Sequence, residues 1–168
     1  FDLLKSEGLF AMVRRALGFF RRRLFGKRAR YLPKKKVLQA QRADLADRWE
    51  NGEALPLVSI CVPLYNTPEP FLRQFLASVF DQTSTRWELC LADASDETHA
   101  YVGEIVKQRA AFAEKIAPAA SRVKYVKVEN KGISANTNAA ADLATGEYLA
   151  LADHDDILAP HAIYTLQI

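Results

Sequence analysis

Three carboxylates stand within four residues, Asp153, Asp155 and Asp156, directly after the apolar run 147–152. Like charges held this close repel each other, so folding favours such a cluster only when something compensates the charge. A divalent cation would do so. Hard carboxylate oxygens suit Mg²⁺ or Mn²⁺, and such ions usually share their coordination sphere with the phosphates of a substrate. A solvated acidic turn in front of the helix that Pro160 opens is the alternative, and it stays open at this point.

Two further segments carry groups that could hold a nucleotide. Asp93 follows the apolar run 87–92 and could accept a hydrogen bond from a ring N–H or a ribose hydroxyl, or simply belong to a turn before a helix. Lys131 and Gly132 precede a helical pattern, where a cation and free backbone N–H groups could meet a phosphate. The chain has no glycine-rich dinucleotide fingerprint and no phosphate-loop motif, which argues against Rossmann dehydrogenases and P-loop NTPases.

Each of these segments follows a predicted strand, and the strands alternate with helical patterns. This alternation predicts an α/β fold with a mainly parallel sheet flanked by helices on both faces. Ligands bind at the carboxyl ends of such strands, which is where the polar residues stand. We expect Gly146 to cap the third of the helices. The predicted strands are 57–62, 87–92, 123–128 and 147–152, and the predicted helices are 69–81, 97–115, 133–144 and one that Pro160 opens.

The formal net charge of +3 hides a division between a basic arm and an acidic body. Residues 1–36 hold 12 of the 23 basic residues and only Asp2 and Glu7 as acids. Apolar residues from Leu9 to Leu24 recur every three or four positions, which predicts a basic amphipathic helix. We place the arm and its linker at residues 1–56 and the body at 57–168, because Asn51-Gly52 and Pro56 mark a turn between them.

Two interpretations of the arm stay open. Residues 9–36 could lie on an anionic membrane surface, or the apolar face could pack within the full-length protein with its arginines solvated. No nucleic-acid motif accompanies the basic run, so we expect no nucleic-acid partner. We see no secretory signal and no transmembrane span, and the two cysteines lie inside apolar runs as expected for buried free thiols. We therefore expect a cytoplasmic protein, peripheral at the inner face of the cell membrane if the arm binds there.

The order and spacing of these segments resemble the nucleotide-binding half of the family 2 glycosyltransferases, over roughly residues 57–168. This family has the GT-A fold and inverts the configuration of the transferred sugar. Bacterial members that build polysaccharides and O-antigens look most similar, and their products belong to the cell envelope. The resemblance rests on the segments 58–66, 80–83, 87–93, 130–138, 145–148 and 151–156.

The resemblance implies a role for each matching residue. Asp93 would hydrogen-bond the base, Asp153 would approach the ribose or sugar, and Asp155 would bind the metal in the DxD motif. Asp156 would assist at the metal. The donor would be a UDP- or dTDP-sugar, and the acceptor a glycan or a lipid-linked glycan. The remaining residues implied at the nucleotide-sugar site are Pro63, Tyr65, Asn66, Lys131, Gly132 and Asn138.

This sequence departs from the family in two respects. The strand before Asp93 often ends in two adjacent acids in the family, whereas Ala94 and Ser95 follow Asp93 here. The family's catalytic base lies in the second half of the domain, so we expect it beyond Ile168 and expect residues 1–168 alone to be inactive.

Two other functions remain as alternatives. A non-catalytic module for membrane association or assembly, built on a transferase-like fold, would also explain the basic arm. A nucleotidyltransferase would share the layered α/β plan, but it would normally carry a glycine-rich basic loop where this chain has residues 63–67.

Overall fold

A computed structural model of the chain describes residues 33–116 and 122–168. The predicted amphipathic helix of the basic arm lies outside the described residues. Contacts group Lys35–Ile168 into one compact unit. In the part of the chain that the structure describes, no helix is both long enough and apolar enough to span a membrane.

In residues 33–116 and 122–168, four parallel strands form one sheet, in the order β3-β2-β1-β4. The strands are β1 (Val58–Leu64), β2 (Trp87–Asp93), β3 (Val123–Lys127) and β4 (Tyr148–Leu151). In the central pair, Val58 aligns with Trp87 and Leu64 aligns with Asp93. The carboxyl ends of all four strands therefore lie at one edge of the sheet, as the alternating sequence pattern predicts.

Within the described residues, five α-helices accompany the sheet, and two of them begin at a clear sequence signal. Pro residues open α2, and α4 begins after Gly132, whose φ of +90° suits a glycine. A short 3₁₀ turn, Glu97–His99, precedes α3, so the helix predicted over 97–115 begins later than expected. The helices are α1 (Lys35–Glu50), α2 (Glu69–Phe80), α3 (Tyr101–Ile116), α4 (Ile133–Ala141) and α5 (Ala162–Gln167).

The two faces of the sheet are covered differently, because successive side chains of a strand point to opposite faces. Large aliphatic and aromatic residues such as Ile60 and Leu91 pack against α2 and α3 on one face. On the other face small residues, Cys61, Cys90 and Ala92, face Ala140 of α4. Small side chains allow α4 to approach the strands closely. The loop that follows the third strand leads directly into this helix.

The prediction for Gly146 is wrong. Helix α4 ends at Ala141 with Asp142 as its C-cap, and Gly146 lies in the turn that enters β4. A Cβ at this position would lie 2.6 Å from the carbonyl oxygen of Leu57 and 2.6 Å from Oγ of Ser59. The glycine is therefore required by close approach to β1 rather than by a helix end.

Candidate functional site

The loops after β1 and β2 are held together by reciprocal hydrogen bonds. Asn66 has a left-handed φ of 48°, and its backbone N–H donates to Oγ of Ser95 at 2.9 Å. Its side-chain amide donates to Oδ2 of Asp96 at 2.9 Å, and Asp96 N–H returns a bond to Oδ1 of Asn66 at 3.0 Å. A predicted nucleotide-binding residue thus has its side chain occupied in fixing the shape of the edge.

Asp93, the last residue of β2, is almost fully buried, with 1% of its surface exposed. Its Oδ1 accepts the Ser95 N–H at 2.9 Å, and its Oδ2 accepts the Tyr125 hydroxyl at 2.6 Å and the Lys127 ammonium at 3.1 Å. Each carboxylate oxygen can accept two hydrogen bonds. With 1% of its surface exposed, the carboxylate is enclosed by these partners.

These contacts keep Asp93 charged. Burial alone would raise its pKa, but hydrogen bonds from Ser95 and Tyr125 and the ion pair with Lys127 bring the net pKa below the ordinary value. Burial and the neighbouring Asp93 carboxylate raise the pKa of Tyr125, which stays a hydrogen-bond donor. Asp93 is thus held as an enclosed anion at the carboxyl end of β2.

A glycine in α3 makes room for this arrangement. A Cβ on Gly103 would lie 2.6 Å from the Tyr125 hydroxyl oxygen. Any larger residue at this position would displace the hydroxyl from Asp93. The glycine and the tyrosine are 22 positions apart in the sequence, so their contact is a product of the fold.

The loop after β1 presents a tyrosine ring near the same edge. Pro63 is buried within β1, while Tyr65 is 48% exposed. The loop is anchored from behind, because the Tyr101 hydroxyl donates to the carbonyl oxygen of Thr67 at 3.0 Å. Tyr65 is therefore the member of this loop whose ring is available to a ligand.

The acidic residues after β4 form an exposed turn. The Asp156 N–H donates to the carbonyl oxygen of Asp153 at 3.2 Å, and the side chains of Asp153, Asp155 and Asp156 are all exposed. His154 is half-buried, and its Nδ1 lies 3.1 Å from the carbonyl oxygen of Pro63. The histidine thus joins this turn to β1 instead of pointing outward with the carboxylates.

The acidic turn offers donors of the kind that Mg²⁺ and Mn²⁺ prefer, but it is not a complete protein cage. Within residues 33–116 and 122–168, no group of three or more His, Cys, Asp or Glu side chains is arranged to hold a metal. Exposed carboxylates that supply part of a coordination sphere fit an ion whose remaining ligands are water and phosphate oxygens. The residues present fit a metal of that kind.

The loop after β3 is shaped by asparagines. Asn130 Oδ1 accepts the Gly132 N–H at 3.1 Å and the side-chain amide of the buried Asn136 at 3.1 Å. Lys131 is exposed, and its ammonium lies 3.5 Å from a carboxylate oxygen of Glu129. Lys131 and Gly132 therefore stand at the amino end of α4, as the sequence predicts.

Asn138 stands apart from this loop. It is exposed in the middle of α4, and its side chain makes no hydrogen bond with the described residues. Six residues of helix place it about 9 Å along the axis from Gly132. Its role at the donor pocket stays a prediction.

The order of the strands determines where the loops that follow them lie along the carboxyl edge of the sheet. The loop after β1 lies between Asp93 on β2 and the acidic turn after β4. Two strand spacings separate β2 from β4, which is about 10 Å. The buried carboxylate of Asp93 and the exposed carboxylates after β4 therefore lie on either side of the loop after β1.

Tyr125 and Lys127, which hold Asp93 in place, were not predicted from the sequence. Glu88 was not predicted either; this buried carboxylate near the start of β2 pairs with Lys124 at 2.8 Å and accepts hydrogen bonds from Ser59 and Thr145. Burial opposes its charge, but these partners lower the pKa of Glu88 to about 2. The alternating pattern of β3 could have identified these residues, because it places Lys124 on one face of the sheet and Tyr125 and Lys127 on the other.

Comparisons with known proteins agree with this architecture. The model of the family described as Glycosyl transferase family 2 matches residues 59–167. An uncharacterised protein, y4gI, of Sinorhizobium fredii is 37% identical over 129 residues, which are 77% of this chain and 13% of that protein. The chondroitin synthase of Escherichia coli is 32% identical over 111 residues, 65% of this chain and 14% of that protein. The chain thus spans a small part of these relatives.

Solved structures share the fold. The Staphylococcus aureus protein TarS, residues 1–349 in complex with UDP-GlcNAc, aligns with a TM-score of 0.52 and 21% identity over 66% of this chain and 30% of that one. GalNAc-T7 with UDP, GalNAc and Mn²⁺ aligns with a TM-score of 0.51 and 20% identity over 62% of this chain and 19% of that one. The parallel α/β sheet of GT-A type that the sequence predicts is confirmed. Because the family model covers most of the chain, this protein belongs to glycosyltransferase family 2.

Proposed function

We propose that this chain carries the donor-binding part of a transferase that moves a sugar from a UDP- or dTDP-sugar to a glycan or lipid-linked acceptor, with inversion and with Mg²⁺ or Mn²⁺. One observation carries the proposal. Asp93, the loop with Tyr65 and the turn Asp153–Asp156 follow three neighbouring parallel strands at the same edge. They present a buried hydrogen-bond acceptor, an exposed ring and exposed carboxylates in the order that a nucleoside diphosphate requires.

The described residues would divide the work of binding. Asp93 accepts the N–H of a pyrimidine base through its carboxylate, and the Tyr65 ring packs beside the base. Pro63 and Asn66 give the loop its shape. Lys131 and the amino end of α4 supply positive charge near the diphosphate, and Asn138 supports the sugar end of the pocket.

The leaving diphosphate gains negative charge as the glycosidic bond breaks. Asp155 would hold the metal, with Asp153 toward the ribose or sugar and Asp156 assisting, and the ion would neutralise that charge. An acceptor hydroxyl attacks the anomeric carbon from the opposite face, which needs a general base. His154 is a poor candidate for this base because it lies between Asp153 and Asp155, inside the motif that would hold the metal.

The related proteins support the choice of donor and product. TarS has been solved in complex with UDP-GlcNAc, and GalNAc-T7 with UDP, GalNAc and Mn²⁺. The O-antigen biosynthesis protein RfbC of Myxococcus xanthus, 31% identical over 109 residues, is named for a bacterial polysaccharide. From these similarities we infer that this protein takes part in the biosynthesis of a cell-envelope polysaccharide. We place the protein in the cytoplasm or at the inner face of the cell membrane, to which residues 9–36 would bind.

Isothermal titration with UDP, in the presence and absence of Mn²⁺, tests the proposal. We expect UDP to bind at least tenfold more tightly with the metal, because the acidic turn alone repels a diphosphate. The Asp155→Asn variant should bind UDP equally weakly with and without Mn²⁺.

A matched control is Asp142→Asn, an exposed aspartate at the C-cap of α4. It removes the same charge away from the acidic turn and should leave the metal dependence unchanged. UDP binding that is indifferent both to Mn²⁺ and to Asp155→Asn would overturn the metal assignment. Failure of UDP to bind under any condition would overturn the donor site itself.

A further inference from the structure

A groove of about 860 Å³ lies between α1, the loop that follows it and the amino-terminal edge of the sheet. Trp87 and Glu88 of β2 and Arg122 before β3 line one wall, and one flank of α1 lines the other. Residues Lys35–Ile168 belong to one compact unit, so both walls belong to a single body. The groove and the candidate donor site lie at opposite ends of the sheet, because Trp87 begins β2 and Asp93 ends it.

The flank of α1 that lines the groove is largely exposed. Its residues recur at steps of three and four, so they share one face of the helix. Trp49 is 75% exposed, Arg42 and Ala46 are exposed as well, and none of the 16 residues of α1 is buried. Tryptophan and arginine are enriched in the centres of protein interfaces. We call this flank the groove face of α1; it consists of Arg42, Leu45, Ala46, Trp49 and Glu50.

Helix α1 is attached to the body through a different flank. The Tyr164 hydroxyl donates to Oδ2 of Asp44 at 2.9 Å, and the Thr83 hydroxyl donates to Oε1 of Gln41 at 3.4 Å. Two residues of helix turn the chain by about 200°, so Asp44 points away from its neighbours at positions 42 and 46. The attachment therefore leaves the groove face accessible to a partner.

The charges of α1 are divided along its length. The first half, residues 35–42, holds three cations and no acid, whereas the second half, residues 43–50, holds three acids and one cation. This order opposes the helix dipole, which favours acids at the amino end and cations at the carboxyl end. The stability of α1 by itself therefore does not account for the pattern. A second α1 running antiparallel would place its acidic half against the basic half of the first.

The two ions of the groove face, Arg42 and Glu50, have no ion-pair partner among the described residues. The neighbouring Arg48, by contrast, pairs with Asp44 at 2.8 Å and with Glu53 at 2.6 Å. The lining as a whole is balanced, with three arginines and three glutamates. A two-fold interface brings the same surface of two copies together and so requires a surface that complements itself. Balanced charges that are separated along a helix meet this requirement.

We propose that two copies of this chain associate through the groove, with their α1 helices antiparallel about a two-fold axis. Leu45 and Ala46, at the middle of the groove face, lie beside the axis. Residues equally far from the axis on either side then lie opposite each other, so Arg42 of each copy meets Trp49 and Glu50 of the other. The association goes beyond the proposed transfer reaction and does not depend on it.

Sedimentation equilibrium of the whole chain over a wide range of protein concentration tests the association. We expect a monomer–dimer equilibrium that needs neither UDP nor a metal. High salt should weaken it, because exposed charges are screened. The fluorescence of Trp49 gives a second readout, since its indole passes from water into the groove of the partner. The emission maximum should therefore move to shorter wavelength as the protein concentration rises.

Charge reversals test the antiparallel arrangement. Arg42→Glu places two acids opposite each other at both ends of the interface, and Glu50→Arg places two cations there. Each variant alone should associate at least tenfold more weakly than the wild type. In an equimolar mixture of the two variants the reversed charges complement each other at both ends, so mixed dimers should form about as tightly as the wild-type dimer. Trp49→Ala should weaken association at least tenfold.

Lys107→Glu is the matched control, because it reverses an exposed charge of α3 outside the groove and should leave association unchanged. A wild-type chain that stays monomeric at every concentration would overturn the proposal and would leave the groove to a different partner. Association that survives both Arg42→Glu and Glu50→Arg would assign the contact to another surface and contradict the proposal. Failure of the mixed variants to associate would contradict the antiparallel arrangement.

Discussion

Asp93 derives its proposed role from its neighbours more than from its position in the sequence. A buried carboxylate is costly unless hydrogen bonds satisfy it, and here Ser95, Tyr125 and Lys127 do so. Preorganised acceptors bind ligands well because little has to move on binding. The hydroxyl of Tyr125 should therefore influence donor binding without touching the donor.

The Tyr125→Phe variant tests this dependence. It removes a 2.6 Å hydrogen bond to Asp93, an interaction worth about 1.5–3 kcal/mol when the acceptor is charged. We expect UDP affinity to fall by roughly five- to tenfold in a titration, and Asp93→Asn to lose more. Tyr148→Phe, in an exposed position on β4, is the control. Unchanged affinity in Tyr125→Phe would show that Asp93 does not need this support.

The protonation of Glu88 should make the stability of the folded protein depend on pH. Its folded pKa of about 2 lies below the ordinary 4.5, so its contribution to stability is present above pH 4.5 and is lost as the pH falls toward 2. The pKa difference corresponds to about 3 kcal/mol. Urea unfolding between pH 2 and 6 should show a decline over this window.

The Glu88→Gln variant should be less stable at pH 7 and should show a flatter decline between pH 4.5 and 2. The exposed pair of Glu69 with Arg73 provides the control, because Glu69→Gln should change neither quantity appreciably. A decline in Glu88→Gln as steep as in the wild type would assign the acid sensitivity to other carboxylates.

The donors and acceptors at strand ends could be predicted from the sequence only in part. Asp93 and the acidic turn are local in the sequence and follow apolar runs, so their place at the edge follows from the alternation of strands and helices. The contacts of Asp93 with Tyr125 and Lys127 join residues 32 and 34 positions apart. They depend on β3 lying beside β2, which the strand pattern alone does not specify.

Two glycines show how the elements are fitted together. Gly146 meets the backbone of Leu57, whereas Gly103 meets only the hydroxyl end of Tyr125, each with a prospective Cβ contact of 2.6 Å. Backbone cannot yield as a side chain can, so the same substitution should have different costs at the two positions. The turn into β4 and the α3 packing are therefore constrained in different ways.

Gly146→Ala should lower the free energy of unfolding by about 2 kcal/mol or more, because β1 or the β4 turn must shift. Gly103→Ala should lower it less but should weaken UDP binding, since Tyr125 has to move away from Asp93. Chemical denaturation and UDP titration of both variants check the pair. Equal stability losses with unchanged UDP affinity in Gly103→Ala would contradict this account.

The limits of the elements could be predicted better for strands than for helix ends. The apolar runs at 57–62 and 87–92 predict the two central strands, which the structure has at Val58–Leu64 and Trp87–Asp93. Helix α4 was expected to continue to residue 144, because alanines favour helix throughout this stretch. The helix ends earlier because Gly146 must approach β1 and the chain has to turn before β4.

In the described part of the chain, the two ends of the sheet carry different groups. The exposed carboxylates of Asp153, Asp155 and Asp156 lie at the carboxyl edge, while the amino edge carries guanidinium groups, glutamates and both tryptophans. The net charge of +3 hides this separation. The boundary between the arm and the domain at residues 56 and 57 stays a prediction, although α1 already hydrogen-bonds to the body through Asp44 and Tyr164.

The central claim is that one nucleotide site spans the carboxyl edge of the sheet. Backbone amide chemical shifts, recorded by NMR on ¹⁵N-labelled protein titrated with UDP and Mg²⁺, test it most directly. We predict the largest shifts at Tyr65 and Asn66, at 93–95 and at 153–156, with little change at the opposite edge around Trp87 and Arg122. Shifts confined to that opposite edge, or scattered without relation to the three loops, would contradict the account.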